Sequence, residues 1–358
     1  MSTSILITGG AGFIGCALAR RLATAGYDVA VMDVLHPQVH TRPGRPADLP
    51  ASVPLFTGDV THAPDWAAVL RLVKPAQIVH LAAETGTGQS LDEATRHGSV
   101  NVVGTTQLLD ALTRVRLVPD QLVLASSRAV YGEGAWRSGE HVFYPGPRTH
   151  AQLVDRIWDP KGPDGGPAVP LLSSSARTEA RPTSIYAATK LAQEHLLLAW
   201  TAAHGNALSV LRLQNVYGPG QSLTNPYTGI VSLFARLARA RRPIEVYEDG
   251  RMVRDFVFID DIVSALAAAV ERPAPRPRLV DIGSGDATTI HDLAGRLAEV
   301  CGAPEPKVVH SFRDGDVRAA SCDIEPAVAE LQWHPDWPLN RGLSALLDWI
   351  DGHVDAVL

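Results

Sequence analysis

Ile5-Leu6-Ile7-Thr8-Gly9-Gly10-Ala11-Gly12-Phe13-Ile14-Gly15 is the stretch on which the fold turns. Its first three residues are apolar and read as a buried strand, and Ile14, Ala17, Leu18 and Leu22 then recur at helical spacing. A strand, a glycine turn and a helix in that order are the setting that a dinucleotide fingerprint requires. Glycine at Gly9, Gly12 and Gly15 lets backbone N–H groups approach a pyrophosphate at the positive end of the helix dipole, with Phe13 and Ile14 in the same turn. Gly26 stops the helix and Val29-Ala30-Val31-Met32 supplies a second strand, at whose end stands Asp33, eighteen residues beyond Gly15. A carboxylate there accepts a hydrogen bond from a ribose 2′-hydroxyl and repels a 2′-phosphate. The cofactor expected is therefore NAD rather than NADP.

The same rhythm continues outward. Leu55-Phe56, Ile78-Val79-His80-Leu81, Leu122-Val123-Leu124 and Val210-Leu211-Arg212-Leu213 read as further strands, with helices around Val100 to Leu112 and Ala187 to Ala203 between them. This alternation predicts an α/β fold, a Rossmann-type doubly wound parallel sheet with a smaller, discontinuous C-terminal substrate lobe. The expected division is an NAD-binding domain over 1–213, to which 251–282 returns, and a lobe built from 214–250 and 283–358. Two stretches break the rhythm. Residues 133–182, rich in Gly, Pro and Ser, read as a long irregular insert near the active site, and 214–250 is punctuated by Tyr217-Gly218-Pro219-Gly220 and Asn225-Pro226-Tyr227.

Composition closes off several classes. The 358 residues are 46% hydrophobic and 20% charged, ordinary globular usage that excludes a disordered or fibrous chain. The 32 Lys and Arg against 38 Asp and Glu leave a net charge of −6, so no global positive field exists to hold nucleic acid or an anionic membrane. The densest basic run, Arg236, Arg239, Arg241 and Arg242, reads as a solvated helix end. No apolar stretch approaches the roughly 20 residues of a membrane helix. Cys16, Cys301 and Cys322 are too scattered for a disulfide framework or a zinc site. With no signal-peptide pattern beside them, a reducing, cytoplasmic setting without a metal is expected.

Chemistry centres on Tyr186-Ala187-Ala188-Thr189-Lys190. Residues four apart share a helix face, so the Lys190 ammonium is expected beside the Tyr186 phenol, where a cation lowers the phenol below its ordinary value of about 10. Asp59-Val60 follows the third strand, where it would meet an adenine. A helix N-cap is the other reading of Asp59.

Gly9 to Gly15, His80-Leu81-Ala82-Ala83, Ser126-Ser127 ahead of Val130-Tyr131-Gly132, and the Tyr186/Lys190 pair together resemble the extended short-chain dehydrogenase/reductase superfamily. Arg212-Leu213-Gln214-Asn215-Val216-Tyr217-Gly218-Pro219, Arg254-Asp255-Phe256-Val257-Phe258-Ile259-Asp260-Asp261 and Gly315-Asp316-Val317-Arg318 narrow the resemblance to its nucleotide-sugar epimerase/dehydratase branch. It implies that Leu81, Ala82 and Ala83 line the NAD site and that Ser127 completes a Ser/Tyr/Lys set with Tyr186 and Lys190. It also implies that Asn215, Arg254 and Arg318 hold a nucleotide diphosphate, which a bidentate guanidinium suits. Sugar dehydratases of that branch place an Asp-Glu pair after the catalytic serine or threonine, whereas Arg128-Ala129 stands here. Oxidation and re-reduction at one carbon is what remains.

Shorter segments, Pro37-Gln38-Val39-His40, Thr87-Gly88-Gln89-Ser90, Asn225-Pro226-Tyr227-Thr228-Gly229 and Glu248-Asp249-Gly250, look like the dTDP-rhamnose 4-epimerase group of the branch. Glu84, Thr87, Gln89, Arg128 and the insert are then expected to face a hexose. The activity implied is NAD-dependent epimerisation at C4 of a nucleotide-activated 6-deoxyhexose through a transient 4-keto sugar. A 4-ketoreductase on the same scaffold is the alternative. A non-catalytic cofactor sensor is a third reading, which the retention of Tyr186 and Lys190 disfavours. The helices near 100–113 and 187–203 are implied to pair with their twofold mates, giving a homodimer.

Overall fold

A computed structural model describes residues 2–40, 44–223 and 229–353, so Asn225-Pro226-Tyr227-Thr228 lies outside the described residues. Seven parallel strands build one sheet: β1 (Ser4–Thr8), β2 (Asp28–Asp33), β3 (Leu55–Thr57), β4 (Gln77–His80), β5 (Gln121–Ser127), β6 (Ala207–Leu213) and β7 (Arg278–Ile282). Their order across the sheet is β7-β6-β5-β4-β1-β2-β3. The strand order reverses between β1 and β4, and the crevice outside the carboxyl ends of these strands is where a doubly wound sheet takes its ligand.

Five helices flank the sheet: α1 (Phe13–Thr24), α2 (Ala63–Val73), α3 (Gly104–Val115), α4 (Ile185–His204) and α5 (Ile259–Glu271). Successive side chains of a strand point to opposite faces. Ile5, Ile7, Val29, Val31, Val79 and Val123 accordingly pack in one core with Leu18 and Leu22 of α1 and Leu266 and Val270 of α5. Leu6, Met32, Ile78, Leu122 and Leu124 pack in a second core with Trp66, Leu70, Leu108, Leu112 and Leu197 from α2, α3 and α4. Burying each such side chain contributes about 1.5–3 kcal/mol, and these two layers set the level at which the strand ends meet the crevice.

Three elements depart from the sequence reading. The helix expected from Val100 begins as a wide π-turn over Gly98–Val103 before tightening into α3. β7 escapes a hydrophobic pattern because Arg278 and Asp281 interrupt it, and it is the part of 251–282 that joins the large sheet. Val253–Arg254 pairs instead with Thr288–Thr289 and Ala319–Ala320, and Phe256–Phe258 with Asn215–Tyr217. The insert is not irregular throughout. Trp136–Ser138 pairs antiparallel with His141–Phe143 and with Val169–Pro170, while Thr149 and Gln152 form a capping box on the helix His150–Val154.

The inward face of α4 is polar rather than apolar: Thr189, Lys190, Gln193 and Glu194 are all buried. Glu194 accepts from Arg212 of β6 at 3.0 and 2.7 Å and from the Ser126 hydroxyl of β5. The Arg212 guanidinium lies 4.7 Å from the centre of the Tyr131 ring, whose hydroxyl donates to Asp281 of β7 at 2.8 Å. Removing one partner of a buried ion pair leaves an uncompensated charge. Glu194→Gln should therefore lower stability by about 3–5 kcal/mol, read as a fall in the urea midpoint with an unchanged slope.

Candidate active site

The glycine turn owes its shape to contacts that leave no room for side chains. Gly9 has a φ of +67°, and a Cβ there would stand 2.7 Å from the Ala82 nitrogen; a Cβ on Gly15 would stand 2.4 Å from the Gly9 oxygen. The turn, the start of α1 and the segment after β4 are thus packed backbone to backbone, and the bare main chain is what the crevice sees. Asp33 braces the turn, since its carboxylate accepts from Ala11 N at 3.0 Å and from Leu35 N at 2.8 Å.

One cavity of about 520 Å³ runs along the strand ends. Gly9, Gly12, Phe13, Ile14, Gly15, Asp33, Asp59, Val60, Leu81, Ala82, Ala83, Tyr186 and Lys190 all line it, together with Glu84 and Ser127. The Asp59 carboxylate accepts from the Thr61 N–H and hydroxyl, each at 2.8 Å, and so holds the turn leading into α2; the N-cap itself is His62. The cavity is long, lined by main chain at the glycine turn and acidic at Asp33. Those features fit a dinucleotide.

Ser127 ends β5 and its hydroxyl accepts from Ala129 N at 3.2 Å, capping the short 3₁₀ turn Arg128–Tyr131. Tyr186 sits in the first turn of α4, which Ser184 caps by accepting from Ala187 N at 3.2 Å. Both side chains line the cavity. Burial pushes the Tyr186 phenol above its ordinary value, and the neighbouring Ser127 hydroxyl and then the Arg128 guanidinium act against that shift. Lys190, 2% exposed, donates to Gln193 Oε1 at 2.6 Å, and burial lowers its ammonium to about 8 against the opposing charge of Glu194. Lys190 is not among the groups that shift the phenol here. In this arrangement the cation acting on Tyr186 is Arg128.

The hexose-facing set divides. Glu84 pairs with Arg96 at 2.8 Å, and Arg96 also bonds Glu93 at 2.8 Å and Gln38 at 3.1 Å. Gln89 is buried and spends its amide on Gln38 and Glu93, so its expected place against a sugar is corrected to a bracing role. The Thr87 carbonyl accepts from the Ser90 hydroxyl at 2.7 Å, and Thr87 does not line the cavity. Arg96 and His36, which stand in none of the quoted motifs, do line it, as do His40 and Gln214, which stand in quoted motifs but were given no role there. Arg96 lies on a four-residue helical turn, too short to leave a periodic signal.

The three basic or polar residues expected on a diphosphate also behave differently from one another. Arg318 donates to Asp159 at 2.7 Å, to Glu248 at 3.0 Å and to Asp249 at 2.7 and 2.8 Å. A buried guanidinium needs acceptors for its five N–H groups, and here three carboxylates supply them. Arg148 of the insert joins the same cluster, 2.8 Å from Glu248 and 3.4 Å from Glu133. The open fork expected of Arg318 is thus corrected to a knot that ties the insert to the C-terminal segments. Among the described residues the Arg254 guanidinium bonds only the Val253 carbonyl, at 2.8 Å, and Arg128 has no ion-pair partner. Burial lowers both guanidinium groups, Arg128 to about 10 with Arg254 as the next contributor, while Asp316 and Glu133 oppose the shift in each. Arg128 and Arg254 are thus two neighbouring cations with no ion pair among the described residues. Asn215 Oδ1 and both amide atoms of Gln214 are buried without a hydrogen-bond partner.

Residues 5–151 and 160–283 match the NAD dependent epimerase/dehydratase family, and the chain belongs to it. It is 54% identical, over 98% of its own length and 96% of the relative's, to a dTDP-L-rhamnose 4-epimerase of Burkholderia thailandensis. It is also 30% identical, over 96% and 97% of the two chains, to a UDP-glucose 4-epimerase of Mycolicibacterium smegmatis. Among solved structures, the UDP-glucose 4-epimerase of Thermus thermophilus in complex with NAD superposes with a TM-score of 0.76 at 27% identity, covering 97% of this chain and 99% of that one. The knot makes its own prediction: Arg318→Ala should lower global stability by about 3–5 kcal/mol and open the insert to limited proteolysis, rather than act on substrate affinity alone.

Proposed function

We propose that the protein is an NAD-dependent nucleotide-sugar 4-epimerase whose substrate is a dTDP-6-deoxyhexose of the L-rhamnose type. The observation that carries this reading is a single cavity in which the glycine turn and Asp33 meet Ser127, Tyr186 and Lys190, with the unpaired Arg128 and Arg254 nearby. The relative from Burkholderia thailandensis supports the sugar and the base. Asp33 favours NAD over NADP, which counts against a reductase that draws on NADPH. Residues 1–213 with β7 serve as the cofactor half, and the segments from 214–250 and 283–358 as the nucleotide-sugar half. The helices over 98–115 and 185–204 are neighbours, and Val103 on their surface is 45% exposed, which supports a homodimer through this face.

In the mechanism, Gly9 to Gly15 and Asp33 hold the pyrophosphate and adenosine ribose, and Asp59, Val60 and Leu81 to Ala83 line the rest of the cofactor. Bound there, NAD would supply a reversible hydride acceptor for the sugar C4 and a positive charge near Tyr186. Tyr186 removes the C4 hydroxyl proton and later gives it back, while Ser127 holds that hydroxyl by hydrogen bond. Arg128 and Arg254 grip the diphosphate and Asn215 the adjoining polar groups, so the nucleotide stays fixed while the hexose turns over. The absence of an acid and base after Ser127 leaves C5 and C6 untouched.

A panel of dTDP-, UDP- and GDP-hexoses followed by NMR tests the reading directly. Interconversion of C4 epimers of a dTDP-6-deoxyhexose with no net change in NADH is expected, and stoichiometric consumption of NADH by a 4-keto sugar would instead indicate a reductase. Tyr186→Phe should lower kcat by about 10²- to 10⁴-fold with cofactor still bound. Arg254→Ala should mainly raise KM, because a diphosphate contact is made equally in ground and transition states. For assembly, light scattering should report a dimer.

A further inference from the structure

Behind Lys190 runs a chain of buried hydrogen bonds that the mechanism does not use. Lys190 Nζ donates to Gln193 Oε1 at 2.6 Å, Gln193 Nε2 donates to Thr105 Oγ1 at 2.8 Å, and Thr105 Oγ1 donates to the Asn101 carbonyl at 2.7 Å. His80 Nε2 lies 3.1 Å from the same Thr105 oxygen, and His80 Nδ1 lies 2.7 Å from the Thr8 hydroxyl. Gln193 and Thr105 are fully buried, and His80 is 2% exposed.

Donor counting orients the whole chain. Thr105 has one hydroxyl proton, and the Asn101 carbonyl takes it, so His80 Nε2 must donate to Thr105 and His80 Nδ1 must accept from Thr8. That is the neutral imidazole, and burial, followed by the charge of Lys190, pushes His80 down to about 3, so it stays neutral across the working range. With both lone pairs of Thr105 filled by donors, the Gln193 amide is held with its NH₂ toward Thr105. Its oxygen can only face the lysine.

We propose that Gln193, oriented by Thr105 and His80, is a positioning residue that holds the Lys190 side chain and keeps it protonated beneath Tyr186. This rests on the reading of Lys190 as a member of the catalytic set. The charged groups that face Lys190 are Glu194 on its own helix, itself neutralised by Arg212 of β6, and Tyr186 one turn earlier; His80 approaches from β4. Among the described residues no carboxylate bonds Nζ directly, so the Gln193 oxygen is the acceptor on which the ammonium depends. A hydrogen bond to a charged group is worth about one to two units of pKa.

The sign follows. Losing the acceptor destabilises the ammonium, so Lys190 should shed its proton at lower pH; a carboxylate in its place should hold the proton to higher pH. Lys190 lines the cavity and is one of four lysines, with Lys74, Lys161 and Lys307 as internal controls. Competitive acetylation with acetic anhydride across pH, read peptide by peptide in the mass spectrometer, therefore reports its titration without any substrate. In Gln193→Met the Lys190 midpoint should fall by about 1–2 pH units, in Thr105→Val it should fall by a smaller step, and in Gln193→Glu it should rise. The alkaline limb of kcat should move with it in each variant while KM for the nucleotide sugar stays within about twofold. An unchanged Lys190 midpoint in Gln193→Met and Gln193→Glu overturns the proposal, even if both lose thermal stability. An unchanged midpoint in Thr105→Val alone overturns the orienting role of Thr105 and His80. Should Gln193→Met fail to fold, the direction of the Gln193→Glu shift decides the matter. Failure of the epimerase reading would show in the NMR panel and leave the labelling result intact.

Discussion

Glu194 and Arg212 meet inside the protein, and the geometry of the site depends on that meeting. Their side chains are 2% and 5% exposed, so neither charge can be left without the other. Glu194 lies one helical turn beyond Lys190, and its second contact, with the Ser126 hydroxyl, lies one residue before Ser127. A single buried ion pair therefore sets the distance between α4, which carries Tyr186 and Lys190, and β5, which carries Ser127. Tyr131 and Asp281 extend the same cluster to β7 at the sheet edge.

Charge is distributed unevenly on the substrate side. Arg148 and Arg318 are surrounded by Glu133, Asp159, Glu248 and Asp249, whereas Arg128 and Arg254 face each other with their nearest counter-charges outside ion-pair range. Like charges held close in a protein interior cost energy unless an anion joins them. The knotted pair ties the insert to the C-terminal segments, and the open pair has no counter-ion within ion-pair range among the described residues. Sequence motifs do not separate these two uses of arginine, because the side chain is the same and the difference lies in what surrounds it.

The Tyr186 phenol is raised by burial and the Lys190 ammonium is lowered by it. Both shifts have one cause, the low dielectric of the crevice, and both oppose the charged forms that proton removal requires. The Ser127 hydroxyl and Arg128 offset part of this for the phenol, and Glu194 offsets part of it for the lysine. The site is thus built from groups that each need a partner to hold charge, and the partners come from the end of β5 and from α4.

The strand, glycine turn and helix over Ile5 to Leu22, with Asp33 at the end of the next strand, by themselves determined the parallel sheet and the dinucleotide crevice, because backbone approach without side chains is something only glycine permits. Tyr186 and Lys190, four residues apart, share the start of α4 as their spacing implied, whereas Ser127 at the end of β5 was reached only through the resemblance. What only the tertiary structure decided is where side chains of long sequence separation meet. Arg318 finds Asp159 across 159 positions, Arg148 finds Asp316 across 168, and Gln193 finds Thr105 across 88. No local pattern encodes such meetings. They follow from how the layers pack, and burial then favours partners for most of the buried donors and charges there.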